Sequence, residues 1–400
     1  MALPEKICIL PWISIETSPI GTARPCCLAE EEITKPDGTK YSLTEHTIDE
    51  IYHSEYMQKL RQQFLNGEKP GTCRRCWDEE SNGRTSKRMN SRVRLKDYYD
   101  QVRWDDTNPD QLWFLDLKLG NICNLKCRIC GSWSSSKWAR EELDYIPKEY
   151  RKDHIATTWM KQGTWPRDNT EFWLNMNTLL PNIKYLEFTG GEPFLIQQHF
   201  DFLKTAVRTG HAEHIEIHYN TNGTQYPEEA IELWSNFKHV EIAFSIDNTG
   251  KRFEYERYGA IWEEAQENIK KFNNLKTQKL STQLCWTANI QNVYYLPEIS
   301  EWIQTQEFDY IHFNMLHDPW HMSISRMTPE AQKLVIDRLT SYEFIPKHKI
   351  EVMRILKVIE NGEGSDGNEF RTRMKIMDEY RKESFLTTHE AIARAMGYEA

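Results

Sequence analysis

Nine cysteines punctuate this 400-residue chain, and eight of them, Cys8, Cys26, Cys27, Cys73, Cys76, Cys123, Cys127 and Cys130, lie in its first third. Only Cys285 stands apart. Disulfide frameworks belong mostly to small secreted domains. The opening segment, MALPEKICILPW, lacks the basic start and long apolar stretch of a secretory signal. No apolar run is long enough to span a bilayer, so neither a membrane segment nor a membrane partner is expected. A cytoplasmic location is expected instead. Close-spaced thiols in a large chain of that kind point to metal, and thiolates favour zinc or iron–sulfur clusters.

Composition narrows the function classes. Lys plus Arg number 50 against 60 Asp plus Glu, a net charge of −10. No broad basic footprint exists to grip phosphates, so nucleic acid is not an expected partner. Hydrophobic residues at 39% and 14 tryptophans give enough apolar material for a folded core.

The first 90 residues read as a small module. Alternation at Ile13, Ile15 and Thr17 predicts a strand over 8–17, a turn follows at Ser18–Gly21, and the chain returns through Arg24 to Cys27. Thr47 and Glu50 have capping-box spacing, and Ile48, Ile51, Leu60 and Phe64 predict one helix that ends at Asn66-Gly67. Residues 91–110 read as a polar linker. Strands are then predicted at 112–119, 183–188, 215–219, 240–246, 280–290 and 310–316. Helices fit 197–209, 227–236, 261–273 and 296–305 between them. Strands alternating with helices give parallel βα units, and six such units suit a partial barrel. Functional residues collect at strand ends in such folds. Residues 326–400 read as helices.

The polar motifs fall at those strand ends. Cys123-Asn124-Leu125-Lys126-Cys127-Arg128-Ile129-Cys130 has the spacing CxxxCxxC. Three thiolates can cap three corners of a cluster and leave the fourth metal position open. A closed zinc site needs a fourth ligand, and none lies nearby in the sequence. Gly190-Gly191-Glu192-Pro193, Thr221-Asn222-Gly223, Ser245-Ile246-Asp247 and Arg257-Tyr258-Gly259 follow in order, with Asn292 after the fifth strand.

This series resembles the radical S-adenosylmethionine (SAM) superfamily over residues 111–318. The resemblance implies a 4Fe–4S cluster on Cys123, Cys127 and Cys130, with SAM on its open iron. It implies that Glu192, with Gly190, Gly191 and Pro193, meets the SAM amino group. It implies further that Asn222, in a TNG element, belongs to the cofactor site, that Ser245 and Asp247 reach the ribose or its surroundings, and that Arg257 pairs with the SAM carboxylate. Cys8-x-x-Pro11-Trp12, Gly21, Cys26-Cys27, Leu60-Arg61 and Cys73-x-x-Cys76 resemble a SPASM or shorter twitch domain. That domain implies a second, auxiliary 4Fe–4S cluster on Cys8, Cys27, Cys73 and Cys76. Cys26 and Cys27 compete for one position, and a structural zinc is the alternative use of the set.

Cys285 sits on the fifth predicted strand, where a cysteine normally acts as a small apolar group. Its sharper reading is a hydrogen-atom donor to a substrate radical. Trp133, Trp138, Trp159, Trp165 and Trp173 crowd one insertion and read as core, with a substrate-facing wall as the alternative. His312, His317 and His321 near the sixth strand end read as solvated loop residues, with a pocket-mouth acid or base as the alternative.

The expected fold is α/β: a partial (β/α)6 TIM-type barrel over 111–325, a small N-terminal α+β cluster-binding domain over 1–90, and a helical region over 326–400. The resemblance implies reductive SAM cleavage to a 5′-deoxyadenosyl radical and hydrogen abstraction from a peptide or protein. Flavodoxin or ferredoxin would supply the electron. The alternatives are oxidation or epimerisation of a small molecule, or a non-catalytic iron–sulfur electron carrier.

Overall fold

A computed structural model describes residues 3–399. Its strands are β1 (Ser14–Thr17), β2 (Ala23–Arg24), β3 (Phe114–Lys118), β4 (Lys126–Cys127), β5 (Tyr185–Thr189), β6 (Glu216–Thr221), β7 (His239–Ser245), β8 (Arg257–Tyr258), β9 (Leu280–Ala288) and β10 (Tyr310–Met315). The chain forms two compact units. The first runs to Cys123 and adds Ser132–Asn220 and Pro227–Val240; the second takes Asn124–Gly131, Thr221–Tyr226 and the chain from Glu241 onward.

In the first unit the strands run in the order β6, β5, β3, β1, β2. The β1–β3, β3–β5 and β5–β6 pairs are parallel, and β2 closes the edge antiparallel to β1. Side chains alternate between faces along each strand. Leu115, Leu117, Leu186, Phe188, Ile217 and Tyr219 fill one face and are buried. Helices cover that face. His199, on the helix Gln197–Arg208, lies 4.9 Å from the Phe188 ring and 3.1 Å from the Tyr219 hydroxyl. Trp234, ending the helix Glu228–Trp234, packs 5.6 Å from the Tyr219 ring. Burying each such side chain stabilises the fold by about 1.5–3 kcal/mol. Burial pushes the His199 imidazole down to about 3, so it stays neutral in this core.

The predicted strand over 8–17 is only half realised. Leu10–Ile13 is a helical turn and the strand begins at Ser14. Pro11 explains the difference: its fixed φ suits a first helical turn, and it has no N–H for a ladder. Trp12 is then fully buried, donating from its indole to Asp106 O at 3.0 Å. The capping box forms as predicted, with Glu50 N–H donating to Thr47 Oγ1 at 3.1 Å and Thr47 N–H to Glu50 Oε2 at 2.8 Å. The single predicted helix divides into Ile48–Tyr52 and Glu55–Leu65, because Ser54 caps the second. Arg61, fully buried, donates to the carbonyls of Pro11, Tyr52 and Thr107, each at 2.9 Å. One guanidinium thus ties two segments of the N-terminal module to the linker that follows it.

The second unit holds most of β7 together with β9 and β10, in the order β10, β9, β7. β9 and β10 are parallel, with Cys285 opposite His312. β4 and β8 form a separate antiparallel pair that places Cys127 opposite Arg257. Helices Pro329–Ser341, Pro346–Glu360 and Asn368–Arg381 complete the unit. The architecture is a mostly parallel α/β sheet flanked by helices, and neither unit closes a barrel. Among the described residues no helix is long and apolar enough to cross a membrane.

Candidate active site

In the first unit, the GGEP segment leaves the end of β5 and lies against the start of the cysteine loop. Gly191 N–H donates to Gly120 O at 3.1 Å, and Glu192 N–H to Ile122 O at 2.8 Å. This approach needs bare backbone. A Cβ on Gly191 would stand 2.1 Å from Ile122 O, and one on Gly190, at φ +103°, would stand 2.8 Å from Gly120 O. Glu192 is buried and accepts from Phe194 N–H at 3.2 Å, capping the turn that Pro193 begins.

In the second unit, the rest of the cysteine loop is clasped from two sides. Asn222 Nδ2 donates to Asn124 Oδ1 at 3.0 Å, and Asn124 Nδ2 to Thr224 Oγ1 at 2.8 Å, so the Thr221-Asn222-Gly223 loop holds Asn124. The β4–β8 pair holds Cys127. Arg257 there donates to Asp247 Oδ2 at 2.5 Å and lies 3.8 Å from Cys127 Sγ. Asp247 also accepts from Thr287 N–H at 3.0 Å. A hydrogen bond from Cys130 brings the Cys127 thiol down to about 7; burial opposes this and Arg257 assists it. Ser245 ends β7 half-buried. Asn292 is fully buried, accepting from Asn289 N–H and donating to Thr287 O, which braces the turn after β9.

Sequence reasoning missed Arg128. It sits inside the CxxxCxxC loop, fully buried, and donates to Asp378 and Glu383, each at 2.7 Å. Its guanidinium carbon stands 3.7 Å from the Tyr255 ring centre. The only local signal is an arginine between two cysteines; its partners lie 250 and 255 residues downstream.

The N-terminal thiols sort into two environments. Cys8, Cys26 and Cys76 all raise the Cys73 thiol, after burial, and Cys76 likewise raises Cys8. Cys8 is pushed up to about 12, chiefly by burial. Cys27 faces other groups: Lys87 Nζ donates to its sulfur at 2.6 Å, and Asp116 and Glu16 stand close by. Among the described residues, no three His, Cys, Asp or Glu side chains converge on a single metal ion. The donors of a cluster stand further apart than those of one ion. Two buried thiols, Cys8 and Cys76, and two half-buried ones, Cys26 and Cys73, have together the donor chemistry that a cationic cluster satisfies.

Cys285 is half-buried on β9, with Gln283 Nε2 donating to its sulfur at 3.3 Å. Of the expected tryptophan cluster, Trp138, Trp165 and Trp173 are buried, whereas Trp133 is exposed. Trp165 packs against Gly21, whose added Cβ would stand 3.3 Å from the indole. His321 is buried rather than solvated, and burial pushes its imidazole down to about 4.

A radical SAM superfamily model matches residues 117–287, and a SPASM iron–sulfur cluster-binding domain model matches residues 8–77. Comparison with curated proteins found no match. Among solved structures, the chain is similar to native anSMEcpe with bound AdoMet, at 16% identity and a TM-score of 0.38 over 56% of this chain and 57% of that one. It is also similar to Streptococcus suis SuiB bound to precursor peptide SuiA, at 11% identity and a TM-score of 0.35 over 78% of this chain and 66% of that one. The chain thus spans little more than half the length of anSMEcpe. Residues 8–77 thus match a SPASM-type iron–sulfur cluster-binding domain and residues 117–287 a radical SAM domain, in that order along the chain.

Proposed function

We propose that the protein modifies a peptide or protein by radical chemistry and holds two 4Fe–4S clusters. A cluster and SAM, when bound, supply a 5′-deoxyadenosyl radical that takes a hydrogen atom from substrate. The chain's own residues fix the donors. Cys123, Cys127 and Cys130 are the thiolates for the SAM-side cluster. The observation that carries this reading is the anchoring of their loop: Gly190 and Gly191 press bare backbone on its start, Asn222 holds Asn124, and β8 holds Cys127. Gly190, Gly191, Glu192, Pro193, Asn222, Ser245, Asp247 and Arg257 form the SAM-binding set. Arg257 is oriented by Asp247, so its guanidinium is preorganised for a carboxylate.

For the second cluster we assign Cys8, Cys26, Cys73 and Cys76. Cys26 replaces the expected Cys27, because Cys26 shares the environment of the other three thiols and Cys27 is engaged by Lys87. The peptide preference rests on the SPASM-type domain, which in the resembling family accompanies peptide modification. Residues 1–90, 111–325 and 326–400 serve as cluster module, core and helical region, and a flavodoxin or ferredoxin serves as reductant. Cys285, opposite His312 on β10, is the candidate hydrogen-atom donor.

The test is anaerobic reduction of the reconstituted full chain with dithionite and SAM. Wild type is expected to form 5′-deoxyadenosine, and Cys127→Ala to form none. Product from the Cys127→Ala protein at the wild-type rate refutes the assignment. Cys285→Ala should lose or change the final product while still forming 5′-deoxyadenosine; an unchanged product removes Cys285 from the reaction.

A further inference from the structure

The face of the first unit's sheet that is turned away from the helices carries charge where a core would carry hydrocarbon. Register places Arg24, Glu16, Asp116, Glu187 and His218 side by side on β2, β1, β3, β5 and β6. Glu16 and Asp116 are only 1% and 4% exposed. Two ammonium groups reach this row: Lys118 pairs with Glu16, and Lys87 stands near Asp116 and Glu187 while donating to Cys27. Arg24, at the far end, faces Glu32, which Lys40 also pairs. Asp116 thus stands among Glu187, Glu16, Lys118 and Lys87, and burial followed by the two neighbouring carboxylates holds its carboxyl well above the ordinary range.

Hydrogen bonding in this row is incomplete. Glu16 Oε2 and Asp116 Oδ1 are buried with no hydrogen-bond partner. Buried polar atoms are normally satisfied, and a buried carboxylate usually has a donor or a cation beside it. The place is also significant. Asp116 lies two residues before the end of β3, which feeds the cysteine loop, and Glu187 lies three residues before Gly190. The row thus lies just beneath the ends of β3 and β5, which lead into the cysteine loop and the GGEP segment.

We propose that Asp116 and Glu187, backed by Glu16, form a subsite for a positively charged substrate group, a primary ammonium or a guanidinium. One such group supplies donors to the unpartnered Glu16 and Asp116 oxygens and a positive charge that favours the ionised form of both carboxyls. The inference rests on the radical SAM reading and adds a substrate class to it: a lysine-like or arginine-like side chain, or another alkyl amine.

The test is calorimetric titration of the anaerobically reconstituted full chain, with SAM present, using two probes. Nα-acetyl-lysine N-methylamide is cationic; Nα-acetyl-norleucine N-methylamide has the same backbone and an uncharged alkyl chain. Wild type should bind the lysine probe about tenfold or more tightly than the norleucine probe. Asp116→Asn, which keeps the side chain's shape, and Glu187→Gln should each erase most of that preference while iron content and SAM binding stay at wild-type levels. A wild type that holds iron and SAM but binds the probes alike, or binds neither, overturns the subsite alone. So does a preference that survives in both variants. A wild type that holds neither iron nor SAM overturns the underlying reading as well.

Discussion

Replacing Arg128 by methionine tests how the cysteine loop is secured. The methionine fills much of the arginine stem but removes its charge and its donors. Asp378 is then left with its side chain only 6% exposed, and Glu383 with 24%. Removing one partner of a buried ion pair generally costs about 3–5 kcal/mol, because the other charge stays buried. Two features place the expected cost near the lower limit. Asp378 keeps hydrogen bonds from Tyr255 OH, Tyr398 OH and Phe385 N–H, at 2.7, 2.6 and 2.7 Å. Glu383 is open enough to rehydrate. We therefore expect a loss of about 3 kcal/mol. With a urea m-value of about 3 kcal/mol/M for a unit of this size, the midpoint should fall by about 1 M. The assay is urea unfolding of the metal-free chain followed by circular dichroism. The double variant Arg128→Met/Asp378→Asn should recover part of the loss, since it no longer buries an unpaired aspartate. A midpoint shift below about 0.3 M, or a double variant less stable than the single one by the full sum, would refute the reasoning.

Further outcomes follow from the same geometry. Cys26→Ala should lower the iron content of the reconstituted chain by about four per molecule, whereas Cys27→Ala should leave it unchanged, as measured by colorimetric iron analysis. Gly191→Ala forces a Cβ toward Ile122 O at 2.1 Å, so it should cost about 1–3 kcal/mol in thermal unfolding and weaken SAM binding. Burial, then Asp247, raises the Glu256 carboxyl to about 8, beside a His389 that burial holds neutral. The unfolded chain has lost the Glu256 proton above about pH 4.5, while the folded chain keeps it up to about pH 8. Stability from this group is therefore lost as pH rises toward 8. The His389 contribution, of opposite sign, is complete above its ordinary value of 6.5. Between pH 6.5 and 8 the metal-free chain should lose up to about 1.4 kcal/mol per pH unit from Glu256, and Glu256→Gln should flatten that slope.

The sheet was legible because each core strand is a compact apolar run with a polar motif at its end. Leu112–Leu119 predicts β3 to within two residues at its N-terminal end and one at its C-terminal end, and Val240–Ile246 predicts β7 to within one at each end. The capping box at Thr47 was equally legible, since its partners are three residues apart. Features that depend on distant partners were not. β4 and β8 are two residues each, too short to leave a periodic trace, yet their pairing puts Arg257 beside Cys127. Arg128 reads as an ordinary basic residue until Asp378 folds onto it. Adjacent Cys26 and Cys27 are chemically identical in the sequence, and only the backbone path decides which one meets Lys87. Glu16, Asp116 and Glu187 are scattered over 171 residues, and the register of three strands makes them neighbours.

The most direct test of the central claim is iron content after anaerobic reconstitution, comparing wild type with the Cys123→Ala/Cys127→Ala/Cys130→Ala triple variant. Two 4Fe–4S clusters predict about eight irons per chain in wild type and about four in the variant, with 5′-deoxyadenosine formed only by wild type. About four irons falling to none would contradict a second cluster. Iron content unchanged by the triple substitution would contradict the assignment of that loop to the cluster that works with SAM.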